Sequence, residues 1–149
     1  MTENKIEAGH VLVRETRAGK FQQEVLTESH HLLADEPVKF GGLDSGLGPY
    51  EFLLAGLGAC TSMIIRLYAD SNKLPLESVS VRLSHHKIHV NDCETSFAKD
   101  SMLDHIERII SLEGALDDEQ HRRLMEVAEK CPVHRTLQSK INISTFERS

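Results

Sequence analysis

This chain has no run of basic residues, and its 17 lysines and arginines are outnumbered by 23 acidic residues, for a formal net charge of −6. A surface that follows a phosphate backbone needs clustered positive charge, so no nucleic-acid partner is expected. The first ten residues, MTENKIEAGH, lack the basic-then-apolar pattern of a signal peptide. Only three cysteines occur, and none lies close to another, which argues against a secreted disulfide scaffold. We therefore expect residues 1–149 to form one cytoplasmic domain with a hydrophobic core.

The most apolar stretch of the chain predicts a long central helix over residues 50–71. No proline interrupts it, and from Tyr50 to Ala69 the only charges are Glu51 near the start and Arg66 near the end, where they favour the helix dipole. Apolar residues occur all round the helical wheel, which is typical of a buried helix. The charges and two internal glycines leave the apolar run short of the ~20 residues of a membrane span, so a core helix is expected and a membrane is not.

The remaining elements are predicted from the alternation of apolar and polar residues. We expect strands at 10–16, 21–28, 78–90, 106–113 and 141–145, short extended pieces at 30–34 and 38–40, and a polar excursion at 91–104. The apolar phase slips by one position near His86, which predicts a β-bulge there. A second helix is expected from the N-cap Asp117, with Gln120 placed for a capping box, as far as Cys131. This order of elements is that of an α+β protein.

Two of the three cysteines lie in the predicted helices. Cys60 is deep in the apolar run, and Cys131 falls on the apolar stripe of the second helix, directly before Pro132. A lone buried cysteine usually packs as a small hydrophobe. Gly56 and Gly58, just before Cys60, each cost roughly 1 kcal/mol relative to alanine within a helix, which indicates a close approach by another backbone. From these residues alone, packing and redox chemistry both remain open.

Two segments resemble the cysteine motifs of the OsmC/Ohr family, the osmotically inducible protein C and organic hydroperoxide resistance proteins: GGLDSGLGPYEFLLAGLGACTS and CPVHRTL. The order and spacing match from about His10 to Phe146. The resemblance implies a divergent OsmC-like member with antiparallel sheets, two main helices and an intertwined homodimer in which the central helices pack together. The apolar character of that helix on all its faces agrees with a homodimer whose sites draw residues from both chains.

The resemblance also implies roles for the two thiols. Cys60 would attack a hydroperoxide and become a sulfenic acid, and Cys131 would resolve it to a disulfide that a small dithiol then reduces. Such chemistry needs a thiolate, and the sulfenate must meet a second thiol before it oxidises further. The implied activity is a thiol-dependent peroxidase for organic hydroperoxides, with no cofactor. The alternative is a non-enzymatic OsmC-like module that binds a small ligand or an electrophile.

The family's activating arginine and its partner glutamate match this chain less well. Arg17 is the best positional match for the arginine, and Arg14 is the second choice. The family's glutamate directly follows the helix-start proline, where this chain has Tyr50, and Glu51 comes one residue later. One residue turns a side chain by about 100° around a helix, and nine residues rise about 14 Å. Glu51 therefore cannot touch Cys60 of its own helix, and any contact would come from a dimer partner.

Histidines supply two further hypotheses. His134, three residues after Cys131, could place a cation near Cys60 or serve only as a structural histidine. A second group has the residue types of a soft-metal site and comprises His85, His86, His89 and Cys93, with His105 following. Exposed histidines at a polar strand end explain this group better, so no metal is predicted.

Overall fold

The computed structural model describes residues 5–89 and 102–148. The chain forms two compact units, Met1–Leu53 and Leu54–Ser149, each with its own set of contacts. Cys93 and most of the expected excursion at 91–104 lie outside the described residues. The expectation of one domain over 1–149 stays a prediction.

The first unit is built on a three-stranded antiparallel sheet in the order β1-β2-β3. Its strands are β1 (Leu12–Glu15), β2 (Gln23–Leu26) and β3 (His31–Ala34). Each strand lies inside a segment expected to be extended, so the hairpin and the third piece are confirmed with shorter bounds.

The extended piece expected at residues 38–40 is wrong, because Val38–Phe40 forms a 3-10 turn closed by Gly41 in the left-handed region, with φ 96°. The buried carboxylate of Asp35 holds this loop, because it accepts hydrogen bonds from three backbone N–H groups and from the Ser45 hydroxyl. The Ser45 bond is the largest reason why the pKa of Asp35 lies below its ordinary value despite burial. A side chain placed by tertiary contacts thus sets the loop geometry.

The second unit packs helices on an antiparallel strand pair. The central helix α1 runs over Pro49–Ser71, as the sequence predicts, and is followed by β4 (Leu76–His89) and β5 (Met102–Gly114). Then come α2 (Asp118–Ala128) and α3 (Pro132–Gln138). The buried core that joins these elements comprises Ile65, Ala69, Leu76, Leu124, Val127 and Ala128.

Helix α2 begins as predicted and ends early. The Asp117 side chain accepts from the Gln120 N–H and the Gln120 side chain accepts from the Asp117 N–H, which completes the expected capping box. The helix stops at Ala128, and Cys131 is the N-cap of α3 rather than the last residue of α2. Pro132 is the physical reason, since a residue before proline is pushed out of the helical region, and Cys131 has φ −55° and ψ 126°.

Two strand predictions need correction. Pairing between β4 and β5 is regular from Ser78 to His89, so the bulge expected near His86 is wrong. The one irregularity of this ladder falls between Leu76 and Ser78. The strand expected at 141–145 is absent from the described chain, where residues 141–148 have no regular structure. Its apolar residues, with Ile143 and Phe146 the most exposed, have no cover there.

Helix α1 buries one of its faces within the second unit. Leu57, Thr61 and Ile65 lie on that face, whereas Met63 and Leu67 are 70% and 66% exposed. By length and composition alone the helix could cross a membrane, with a mean hydropathy of 1.6 over its most apolar window. Core helices of soluble proteins have the same properties. The apolar residues all round α1 predicted a buried helix. In one chain only one face of α1 is buried, and the face with Met63 and Leu67 is exposed.

Candidate active site

The two thiols of the second unit meet between helices α1 and α3. Cys60 lies in α1 and is partly exposed, whereas Cys131, the N-cap of α3, is fully buried. Both are free thiols, and they lie close enough for a side-chain hydrogen bond between them to shift the pKa of each. The accessible thiol and its buried neighbour are thus arranged so that only the Cys60 side of the pair can meet a molecule from solution.

The surroundings shift the pKa values of the two thiols in opposite directions. Burial raises the pKa of Cys60, and the hydrogen bond to Cys131 raises it further, against a lowering by the Val133 N–H and by the Arg108 guanidinium. Burial also acts to raise the pKa of Cys131, but bonds from Cys60, from the N–H groups of His134 and Val133 and from the Thr61 side chain lower it overall. The pair therefore loses its first proton most readily as a Cys131 thiolate that is held by the Cys60 S–H.

Arg108 is a buried cation that the sequence analysis missed. Its side chain is 9% exposed, and Nη1 donates to Thr61 Oγ1 at 2.9 Å and to the Ala128 carbonyl at 3.3 Å. The Thr61 hydroxyl itself donates to the Leu57 carbonyl at 2.7 Å. A sequence signal was present, because Arg108 falls in phase with Ile106, Ile110 and Leu112 of β5, where an apolar residue is expected.

His134 belongs to the same neighbourhood. Its ring is 17% exposed, and Nε2 lies 3.3 Å from a carboxylate oxygen of Glu129, whose other oxygen lies 3.5 Å from Arg108 Nη2. The backbone N–H of His134 contributes to lowering the Cys131 pKa. His134 therefore supports the thiol pair through its backbone, and its ring binds a carboxylate.

Two cavities lie beside these residues. An apolar groove of about 470 Å³ opens at Cys60 and is lined by Gly56, Ala59, Met63, Ile64, Leu67 and Pro132. A polar cavity of about 430 Å³ is lined by Arg108, His134 and Glu129 together with Asp104, His105, Leu57, Ile106, Leu137 and Gln138. The only cysteine on either wall, among the described residues, is Cys60 in the apolar groove.

The remaining predicted site residues lie in the first unit. Arg17 occupies the turn between β1 and β2 with φ 67°, and its side chain is 78% exposed and 3.5 Å from Glu15. The Glu51 carboxylate accepts from the Gly48 N–H, which places it as a cap on the first turn of α1. The second-choice arginine, Arg14, is paired with Glu24 at 2.6 Å. The catalytic roles of Arg17 and Glu51 stay predictions.

The described histidines of this group lie near the paired ends of β4 and β5, but His85 is only 17% exposed, so the expectation of exposed histidines is met in part. His85 Nε2 is 2.8 Å and Lys87 Nζ 3.0 Å from the Asp104 carboxylate, and the rings of His86 and His105 meet edge to face at 5.1 Å. His85 gives the largest contribution to lowering the Asp104 pKa, ahead of Lys87. No cluster able to hold a metal occurs among residues 5–89 and 102–148, which leave out Cys93.

Comparisons with known proteins give the family and the fold. A family model described as OsmC-like protein matches residues 42–146. An OsmC-like protein from Mycoplasma pneumoniae has a solved structure with a TM-score of 0.67 and 16% identity, covering 93% of this chain and 89% of that one. For an organic hydroperoxide resistance protein OsmC from Legionella pneumophila, the TM-score is 0.60 and the identity 20%, over 89% of this chain and 91% of that one. For an organic hydroperoxide resistance protein from Elizabethkingia anophelis with thiocyanate bound, the TM-score is 0.58 and the identity 18%, over 87% of this chain and 88% of that one.

A search of curated proteins finds no match. Identities of this size show the fold alone, and the α+β architecture expected from the sequence is confirmed.

Proposed function

Because the chain belongs to the family of OsmC-like proteins, we propose that it is a thiol-dependent peroxidase that reduces organic hydroperoxides. The family match, with neighbours named as organic hydroperoxide resistance proteins, supports a role in redox and peroxide stress. The observation that carries the finer proposal is the partly exposed thiol of Cys60 beside the fully buried thiol of Cys131, close enough for each to shift the pKa of the other. Cys60 is the nucleophile and Cys131 the resolving thiol.

The first step consumes the hydroperoxide. The pair reacts in the form in which Cys60 carries the negative charge and Cys131 holds the proton, and the Cys60 sulfur attacks the terminal oxygen of ROOH. The O–O bond breaks, Cys60 becomes a sulfenic acid, and the alkoxide leaves and takes the proton from Cys131 to form the alcohol ROH. Two electrons have moved from the Cys60 sulfur to the peroxide, and Cys131 is again a thiolate.

The second step closes the disulfide. The Cys131 thiolate attacks the Cys60 sulfur, the S–O bond breaks, and the hydroxide that leaves takes up a proton from solution to become water. A small dithiol then supplies two electrons and two protons, becomes a cyclic disulfide and restores both thiols. We infer a cytoplasmic location, where reducing conditions maintain such a dithiol pool.

The apolar groove favours a hydroperoxide with a hydrocarbon part. Its lining is aliphatic apart from Cys60, so an apolar alkyl or aryl group gains by leaving water there. Hydrogen peroxide has no such group. We expect the preference to be for organic over inorganic peroxide at equal concentration.

We infer a homodimer that completes the site. Met63 and Leu67 leave an apolar face of α1 without cover in one chain, and Ile143 and Phe146 expose the apolar side of the C-terminal segment. A second copy would cover both and would form the outer wall of the apolar groove, which Met63 and Leu67 line. The same assembly is the route by which Arg17 and Glu51 could act on the thiols of a partner chain.

The direct test is stopped-flow oxidation of the reduced protein by cumene hydroperoxide and, separately, by hydrogen peroxide, with Cys60→Ser as the blank. We expect a faster reaction with cumene hydroperoxide, and a product in which Cys60 is bonded to Cys131 and Cys93 can still be alkylated. A rate no faster than that of a free thiol would end the peroxidase proposal. A Cys60–Cys93 disulfide would overturn the assignment of Cys131.

A second candidate is a binding module that holds a small apolar or electrophilic ligand beside Cys60. The apolar groove and the exposed side chain of Arg17 favour it, whereas the half-buried ring of His134 does not. Turnover with peroxide that disappears in Cys60→Ser would count against it. Stoichiometric adduct formation at Cys60, without turnover, would support it.

A further inference from the structure

Arg108 places a permanent positive charge at a core position of strand β5. Its neighbours in phase, Ile106, Ile110 and Leu112, are half-buried apolar residues, and the Arg108 side chain is 9% exposed. A guanidinium group removed from water is costly unless its N–H groups are bonded. The hydrogen bonds that Arg108 makes therefore indicate its structural role.

Those bonds join the two pieces of chain that carry the thiols. From β5, Arg108 Nη1 reaches Thr61 Oγ1 at 2.9 Å and the Ala128 carbonyl at 3.3 Å. Thr61 directly follows Cys60 in α1, and Ala128 is the last residue of α2, three positions before Cys131. A single N–H donor group thus connects α1 with the turn between α2 and α3.

The other side of the guanidinium group is held much less firmly. Nη2 lies 3.5 Å from the carboxylate of Glu129, whose side chain is 68% exposed. An ion pair at this distance contributes little when its carboxylate is exposed, because water competes for the carboxylate. The bonds to Thr61 and Ala128 are therefore the contacts that fix the position of Arg108.

We propose that Arg108 is a positioning residue of the thiol pair, which holds α1 and the α2–α3 turn so that the sulfurs of Cys60 and Cys131 meet. Its value for peroxide reduction rests on the proposed function, but the geometry itself does not. Lysine keeps the charge but has no planar fork, so it cannot make both bonds from one fixed position. Arg108→Lys therefore separates the effect of geometry from that of charge.

The experiment measures the thiol pair without any peroxide. The full-length reduced protein is equilibrated with mixtures of reduced and oxidised glutathione, and the Cys60–Cys131 disulfide is quantified by alkylation and mass spectrometry. The protein dithiol passes two electrons and two protons to oxidised glutathione, which becomes two reduced molecules. The equilibrium constant reports how well the two sulfurs are placed to bond.

Four variants make the comparison. Thr61→Val removes the hydroxyl that accepts from Arg108, Thr61→Ser keeps it, and Arg108→Lys leaves Thr61 intact. Arg82→Met, an exposed arginine of β4, is the matched control. We expect Thr61→Val and Arg108→Lys to lower the equilibrium constant about tenfold or more, the scale of one charge-assisted hydrogen bond, with Thr61→Ser and Arg82→Met unchanged.

The outcomes are distinct. An equal loss in Thr61→Val and Arg108→Lys places the effect in the bond between them. Unchanged constants in both, or a lower thermal midpoint with an unchanged constant, would overturn the proposal and leave Arg108 a purely structural residue. Should Arg108→Lys fail to fold, Arg108→Gln replaces it, because Thr61→Val alone does not separate the bond to Arg108 from the contact of Thr61 with Cys131. A wild-type protein that forms this disulfide with glutathione but reacts slowly with cumene hydroperoxide would refute the peroxidase proposal and leave the positioning role standing.

Discussion

Replacing Cys131 by serine should speed the first chemical step while it abolishes turnover. After burial, the largest effect that raises the Cys60 pKa is the hydrogen bond to Cys131, and the charge on Cys131 raises it again. Serine carries no charge, and its hydroxyl can donate to a Cys60 thiolate instead of competing with it for a proton. The Cys60 pKa should therefore fall in Cys131→Ser.

The size of the effect follows from the bond that is lost. A hydrogen bond to a charged group contributes about 1.5–3 kcal/mol, and 1.4 kcal/mol is a factor of ten in an equilibrium, so the thiolate population at pH 7 should rise about ten- to hundredfold. The rate of sulfenic acid formation should rise with it. In the wild type this rate should keep rising above the pH at which an ordinary thiol ionises, because the Cys60 pKa is raised, and in Cys131→Ser its midpoint should move to lower pH.

The assay is single-turnover stopped flow with cumene hydroperoxide between pH 5 and 10, in a Cys93→Ser background that leaves two thiols to follow. Mass spectrometry of the same samples should find Cys60 as sulfinic acid in Cys131→Ser and as a disulfide in the parent, since no resolving thiol remains in the variant. A first step that is slower in Cys131→Ser, or whose midpoint moves to higher pH, would refute the assignment of the proton to Cys60. Cys60→Ser provides the blank.

Three further outcomes can be checked. Leu124→Ala should lower the free energy of unfolding, measured in urea, by about 2–5 kcal/mol, because Leu124 is fully buried in the core. Met125 is the next residue of α2 and is exposed, so Met125→Ala should change this free energy by less than about 1 kcal/mol. Equal losses in the two variants would contradict the core assignment. Asp35→Asn should lower the free energy of unfolding at neutral pH, as measured by denaturation curves. The difference from the wild type should shrink as the pH falls below about 4, because a carboxylate with a lowered pKa stabilises the folded protein only while it is ionised. A difference that does not depend on pH would contradict this account. Leu67→Glu should give a monomer in light scattering at micromolar concentration while Met125→Glu stays a dimer, and a dimer in both would exclude the exposed face of α1 as the interface.

Features set by neighbouring residues could be predicted from the sequence. Pro49 and the following apolar run predicted α1 to within a residue, and the Asp117 and Gln120 pair predicted the capping box that starts α2. The burial of Cys131 was also predicted, although the helix whose phase with Leu124 and Val127 suggested it ends at Ala128. These are interactions over three or four residues, whose geometry the helix itself imposes.

The same local reasoning failed where a partner far along the chain decides. The apolar slip near His86 did not become a bulge, because the continuous ladder to β5 keeps both strands in register. The alternation at 141–145 did not become a strand, since alternation alone does not provide a pairing partner and no described strand pairs with this segment. The loop at 38–40 took its shape from the buried carboxylate of Asp35.

The candidate site divides in the same way. Its two thiols were identified from motifs that stand in the sequence, Cys60 in the apolar helix and Cys131 before Pro132. Arg108, 48 residues after Cys60, could not be identified as a site residue, because its position between apolar strand residues does not reveal its hydrogen-bond partners. Only the tertiary structure decided that, by placing Thr61 and the end of α2 against β5, where a buried guanidinium group must find its hydrogen bonds.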